Sequence, residues 1–226
     1  MAVDVEASTT RRNPDKIRLR AALYEMFEAA LHTGGITRRR RDPLVNCGDG
    51  ILTLIRPSDR TPKTLLLNRV VPTLDRLLAA HNANHPAHCL RLRAAVHAGE
   101  VHYDRHGCFG EAVDLTFRLL DSPELKTALS RSSTPLTLVV SDGIYQSIIR
   151  HGYDRIERHD FRPLVHVTVA DQRHHGWVLS SRQDFGQHDV PAEDLGVELA
   201  RHFDVAHGQE VRDDQALIRR GKTFHY

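Results

Sequence analysis

The sequence predicts an α+β fold, with helices laid on one face of an antiparallel sheet. Three observations predict it. Apolar residues recur at three- and four-residue spacing over residues 14–33 and again over 64–81. Short apolar runs bounded by turn residues separate these helical segments. A Gly48-Asp49-Gly50 turn joins two of those runs, a hairpin signal of the Asp-Gly type.

The elements follow in order. Residues 1–6 form a short strand that meets a Ser/Thr turn at once. Residues 14–33 form a helix, with Asn13 as its cap and Pro14 in its first turn. Its apolar face carries Leu19, Leu23, Met26, Phe27, Ala30 and Leu31, and Gly34 and Gly35 end it. Residues 44–56 are the hairpin. Residues 64–81 form a second helix through Leu66, Val70, Leu74, Leu77 and Leu78, where Pro72 shifts the start or kinks the axis. The stretch 90–103 reads as a strand pair with Gly99 near the bend, and 110–122 as a third helix. Residues 135–142 are a buried strand, 143–151 a short helix, and 163–170 and 175–180 two late strands. The front half, β-α-β-β-α-β, is the ferredoxin-like arrangement, which hosts many functions and selects none.

At 226 residues the chain suits one full-sized domain, 1–180, with a charged C-terminal extension, 181–226, that includes a helix near 191–204. The extension reads as a mobile segment or a dock for a regulator. Two-fifths of the chain is apolar, enough for a core, and the formal charge of +2 provides no global field toward nucleic acid or membrane. Cys47, Cys89 and Cys108 are an odd count without CxxC spacing, which argues against disulfides and a Cys-rich zinc site. No leader is expected, and no apolar run nears the roughly 18 residues of a membrane span. The expectation is a soluble, cytoplasmic protein.

Two aspartates stand at chain reversals: Asp4 at the end of the first strand and Asp49 in the hairpin. In a β-α-β-β plan these strands are neighbours. Carboxylates at one end of adjacent strands can share hard divalent cations, which take oxygen ligands. The small hydroxyl residues after Asp4 lead into a helix and offer amides to a phosphate. The pattern suits a metal–triphosphate site; two ordinary Asp-rich turns would give the same spacing.

"VDVEAST" is similar to the V-D-[IV]-E-G-S-T phrase of class III nucleotidyl cyclases, and "NCGDGIL" resembles their G-D-G hairpin. "LRAAVHAGEV" and "GCFGEAVDLTFRLLDS" resemble their R-x-[AG]-[IV]-H-x-G-E-V strand and G-x-x-V-N-x-x-x-R-L helix. The four phrases keep the family's order over roughly residues 2–180. The layout is similar to stand-alone bacterial cyclases of Pycsar type, which make cyclic UMP or cyclic CMP in antiphage defence.

The resemblance implies roles. Asp4 and Asp49, with the Val5 carbonyl, would hold two Mn²⁺ or Mg²⁺ ions, and Ser8 and Thr9 would cradle the β,γ-phosphates. Arg118 would stabilise charge on the transferring phosphoryl group. Asp114 stands where the family places the asparagine that holds the ribose. A head-to-tail homodimer would share two sites, Arg118 coming from the second chain. The ligand would be a nucleoside triphosphate, and a cyclic-nucleotide-responsive effector would act downstream.

The departures are specific. Val45 stands where adenylyl members carry the base-reading lysine, and Gly107 where they carry the second base-reading residue. Neither purine code is present, and a valine side chain offers no hydrogen bond to a base edge. Asp114, when ionised, accepts but cannot donate, and it repels a triphosphate. Ala7 replaces a glycine. Two readings stand: a pyrimidine nucleotide cyclase, or a silent cyclase-homology domain that binds nucleotide or protein.

The run Arg38 to Arg41 reads as a solvated loop rather than a nucleic-acid contact, because no basic surface or interleaved aromatic accompanies it. His102, His106, His174 and His175 read as surface or turn residues, Cys108 as an idle thiol near the base pocket, and Trp177 as core. No P-loop or Rossmann glycine motif is present.

Overall fold

The computed structural model describes residues 1–179 and shows a mixed α+β fold. The extension, with its expected helix near 191–204, lies outside the described residues. The elements are β1 (Ala2–Val5), α1 (Asn13–Thr33), β2 (Val45–Asn46), β3 (Gly50–Leu52), α2 (Val71–Asn84) and β4 (Leu92–Val96). They continue with β5 (His102–Asp104), β6 (Gly107–Phe109), α3 (Glu111–Leu120), α4 (Pro123–Arg131), β7 (Leu136–Ser141), α5 (Asp142–Ser147), β8 (Phe161–Val169) and β9 (Gln172–Leu179).

Seven strands form one sheet in the order β2-β3-β1-β4-β7-β9-β8, and β5 and β6 pair separately. The register aligns a row of apolar side chains across it. Ala2 lies opposite Leu52 on one side and Ala95 on the other; Ala95 faces Val139, and Val139 faces Val178. These five belong to one core cluster with Leu115, Leu119 and Leu120 of α3 and Leu125 of α4. Strand alternation sends Val3, Ile51, Ala94 and Leu138 to the opposite face. They are buried too. Helices α1 and α2 pack on each other, and α2 on β7.

Four expectations need correction. The sheet is mixed, not antiparallel: β4 and β7 run parallel, which requires the long helical crossover through α3 and α4. Helices on one face would leave the other apolar row bare, yet both rows are buried. Residues 90–103 are not a strand pair; β5 turns away from β4 and pairs with β6 through Tyr103 and Cys108. Helix α4 was not expected, although Ser122 followed by Pro123 is a sequence signal for a helix start: Ser122 Oγ accepts from the Leu125 N–H.

Two smaller features follow from proline and glycine chemistry. Pro72 cannot donate a backbone hydrogen bond, and a π-helical turn, Leu66–Val70, precedes α2 where the ladder is interrupted. At Gly176 a Cβ would come 2.7 Å from Leu119 Cδ2 and 2.8 Å from Val139 Cγ2, so a bare backbone lets α3 sit close on the sheet.

The arginine run is not simply solvated. Arg41 is 4% exposed and pairs with Glu28 of α1 at 3.2 Å, while Arg38 reaches the same carboxylate at 2.7 Å. Arg40 donates to the Gly35 carbonyl at 2.8 Å. These guanidinium groups fasten the loop to the end of α1.

Candidate active site

Asp4 is the last but one residue of β1, and the sheet register decides what surrounds it. Opposite it on β4 stands Arg93, and opposite it on β3 stands Gly50. Asp4 and Ala2 are two apart, so Asp4 points to the face that carries α3 and α4. Arg93 points the same way, and its Nη2 donates to Asp4 Oδ2. Both side chains are mostly enclosed. Gly50 is required by the close approach: a Cβ there would meet the Val3 carbonyl at 2.5 Å.

Asp49 is presented by the hairpin turn. Gly48 takes a positive φ of 81°, and its N–H donates to Asn46 Oδ1 at 3.0 Å. The Cys47 N–H donates to the Gly50 carbonyl at 3.0 Å. Arg20 of α1 donates to the Gly48 carbonyl and pins the turn from outside. The Val5 N–H donates to the Asp49 carbonyl at 3.3 Å, which joins the turn to the end of β1.

The turn after β1 supplies the hydroxyls. Ala7 sits at φ 54°, a left-handed conformation that glycine adopts freely and alanine does not. The departure from glycine is therefore a strained one. A 3-10 turn, Ser8–Thr10, follows, and Ser8 Oγ donates to Asp49 Oδ2.

Asp4, Val5, Ser8, Thr9 and Asp49 thus line one cleft of about 400 Å³. Arg93, Phe117, Leu120, Asp121 and Lys126 complete much of its wall. Burial raises the Asp4 carboxyl above its ordinary value; Arg93 works against this and the nearby Asp49 works with it. Burial also pushes Asp49 upward, but the hydrogen bond from Ser8 and the neighbouring Asp4 and Arg93 outweigh it, so Asp49 lies below its ordinary value. Two carboxyls whose proton affinities are driven apart in one cleft form a coupled pair.

That donor set fits a hard divalent cation: two carboxyl groups whose charges repel each other in one cleft, with a hydroxyl beside them. Two carboxylates alone are few. Among the described residues no group of three or more His, Cys, Asp or Glu side chains is placed to hold a metal.

The remaining expected residues lie elsewhere. Asp114 and Arg118 are four apart on α3, both exposed, and neither lines the Asp4–Asp49 cleft of its own chain. Val45 is 38% exposed on β2, and Gly107 opens β6 at φ 139° with nothing within 4 Å of where a Cβ would sit. Tyr103 Oη donates to Asp42 Oδ2 at 2.8 Å and ties the β5–β6 hairpin to the segment entering β2. Cys47 and Cys108 pack against the same core cluster.

Arg93 and Lys126 are two cationic cleft residues outside the site residues expected from sequence. Arg93 had a signal, since it lies within the quoted β4 phrase and alternation puts it on the face of Asp4. Lys126 depends on α4, which was not expected.

A second cleft of about 500 Å³ lies at the other end of α3. It gathers His97, His102, His174 and His175 with Glu100, Glu111 and Asp142. His97 Nδ1 and Ser141 Oγ are 2.8 Å apart. His174 is half-buried rather than a free surface residue, its Nε2 3.9 Å from Glu111. Trp177 is also only partly buried; it stacks on Tyr145 and donates to Asp142 Oδ1 at 2.9 Å.

Compared with known proteins, the chain matches no family model, and no curated protein matches it.

Proposed function

We propose that the protein is a metal-dependent nucleotidyl cyclase of the class III kind. It would convert a nucleoside triphosphate, with UTP or CTP favoured, to the 3′,5′-cyclic monophosphate and pyrophosphate. The observation that carries this reading is the meeting of Asp4 and Asp49 with Ser8, Thr9 and Arg93 in one cleft. The strand order β2-β3-β1-β4 supports it, because that is the ferredoxin-like order on which such a site is built.

Divalent cations bound there would neutralise phosphate charge and favour ionisation of the attacking ribose 3′-oxygen. The chain's own residues do the rest. Asp4 and Asp49 hold the cations; Ser8, Thr9 and the amides around them receive the β,γ-phosphates. Arg93 is a cation lining the cleft and offsets the charge of Asp4, with which it is paired. The 3′-oxygen bonds to the α-phosphorus as the bond to pyrophosphate breaks, and positioning carries most of the acceleration.

Arg118 and Asp114 face away from their own cleft, which suits a head-to-tail homodimer that presents them to the partner's site. Exposed Tyr103 and Phe109 on the β5–β6 hairpin, with Val45, supply apolar surface for such contact. Val45 and Gly107 carry no purine-reading group, which is the basis for favouring a pyrimidine. A cyclic nucleotide made in this way would act as a messenger, in our reading one of antiphage defence through a downstream effector.

A second reading, a silent cyclase-homology domain, rests on one feature. Arg93 and Ser8 already engage the two carboxylates from within the chain. Incubation of the protein with each of the four nucleoside triphosphates and Mn²⁺ separates the readings. Cyclic product from UTP or CTP is expected; no cyclic product from any of them, at dimer-forming concentration, sinks the cyclase.

A further inference from the structure

We infer that Lys126 binds the polyphosphate tail of the substrate in the cleft of its own chain. This rests on the nucleotide-cyclase reading and adds to it a residue from outside the four sequence phrases. Lys126 lines the same cleft as Asp4, Asp49, Ser8 and Thr9, on the wall formed by Leu120 and Asp121.

The helix beneath it is firmly placed. Leu125 and Leu129 of α4 are fully buried, and Ser122 both caps the helix and donates to the Leu119 carbonyl at 2.9 Å. The ammonium group, by contrast, is held only loosely. Its partner is Asp121, whose side chain is 77% exposed, while Lys126 itself is 46% exposed. Ion pairs this open to water are weak and exchange readily.

Charge makes the exchange favourable. The cleft holds three carboxylates, Asp4, Asp49 and Asp121, against two cations, Arg93 and Lys126. Arg93 is committed to Asp4. Lys126 is therefore the cation in this cleft that an incoming phosphate can take over without uncovering an enclosed carboxylate. A compact charge on a flexible stem suits a terminal phosphate, whose oxygens lie in no fixed plane. Arg118 would reach the α-phosphate from the other chain; Lys126 would act from the same chain as Asp4 and Asp49.

The test is calorimetric titration of the full chain with Mg²⁺–tripolyphosphate, Mn²⁺–nucleoside triphosphate and a nucleoside monophosphate, together with KM and kcat. Lys126→Met is expected to weaken the first two roughly tenfold and to leave the monophosphate unchanged, as loss of one charge-assisted contact predicts. KM should rise with kcat within about twofold. Lys126→Arg should restore most of the binding, and Asp121→Asn, which frees the lysine, should tighten it. Wild-type binding that Lys126→Met leaves intact overturns the inference and spares the cyclase. Failure of Lys126→Arg to rescue a folded protein also overturns it, since the side chain would then act through packing. A wild type that binds no triphosphate and forms no product removes the cyclase reading, and this inference with it.

Discussion

Helix α3 separates two clefts of similar size and different chemistry. At its C-terminal end the cleft is built from carboxyl groups and their partners: Asp4 with Arg93, Asp49 with the Ser8 hydroxyl, Asp121 with Lys126. At its N-terminal end it is built from imidazoles, with His97 bonded to Ser141 and His174 beside Glu111. Burial acts on both and gives opposite results. It raises the Asp4 carboxyl above its ordinary value, with Arg93 opposing the rise. It lowers His97, with His174 adding to the effect, so His97 resists gaining a proton. The same burial thus moves a carboxyl and an imidazole in opposite directions, each against its charged form. The first also carries the Ser8 and Thr9 hydroxyls on the turn that follows β1.

Substitutions can break or sharpen this contrast. The largest effect should come from Asp49→Ala, which should cut cyclic product by on the order of a hundredfold or more, because it removes a ligand of the cations that would stabilise transition-state charge. His97→Asn, at the other end of α3, should leave turnover within about twofold; an equal loss from both would erase the distinction.

Arg93→Met should cost about 3 kcal/mol in urea unfolding, because it strands an enclosed carboxylate without its partner. Adding Asp4→Asn to that variant should recover part of the loss, though not activity. Gly176→Ala should cost roughly 1–3 kcal/mol by forcing α3 off the sheet. Thermal melts of that variant should show less stability without a change in Mn²⁺ binding.

Ala7→Gly is expected to gain up to about 1 kcal/mol, by relief of a left-handed alanine. The smallest effect concerns pH. His97 has a folded value below its ordinary 6.5, so its contribution to stability is complete above that value and is lost as pH falls through the folded one. His97→Asn should flatten the fall in stability below pH 6.5, as read from denaturant midpoints.

Much of the first cleft was legible in the sequence because local rules decide it. Gly48-Asp49-Gly50 could only be a reversal, and the row Leu19, Leu23, Met26, Phe27, Ala30 and Leu31 could only be the buried stripe of a helix. What sequence reasoning lost was long-range. Arg93 is 89 residues from Asp4, and only the β1–β4 register makes them neighbours. Arg41 looked like one of four equivalent surface charges, but its burial depends on where α1 ends and Glu28 falls. Strand β5 looked like the return limb of β4, because pairing preference carries no information about which strand turns away. The missed helix α4 is different. Its cap, Ser122-Pro123, is a local signal that needs no long-range contact.

The bare backbone at Gly50 has a consequence for how this site can change. Since any side chain there would strike the Val3 carbonyl, the spacing between hairpin and first strand is set by main chain alone. Variation in the cleft must therefore arrive through the side chains around that backbone contact, at positions such as Ala7 and Thr9. The floor of the cleft stays fixed while its rim is free to diversify.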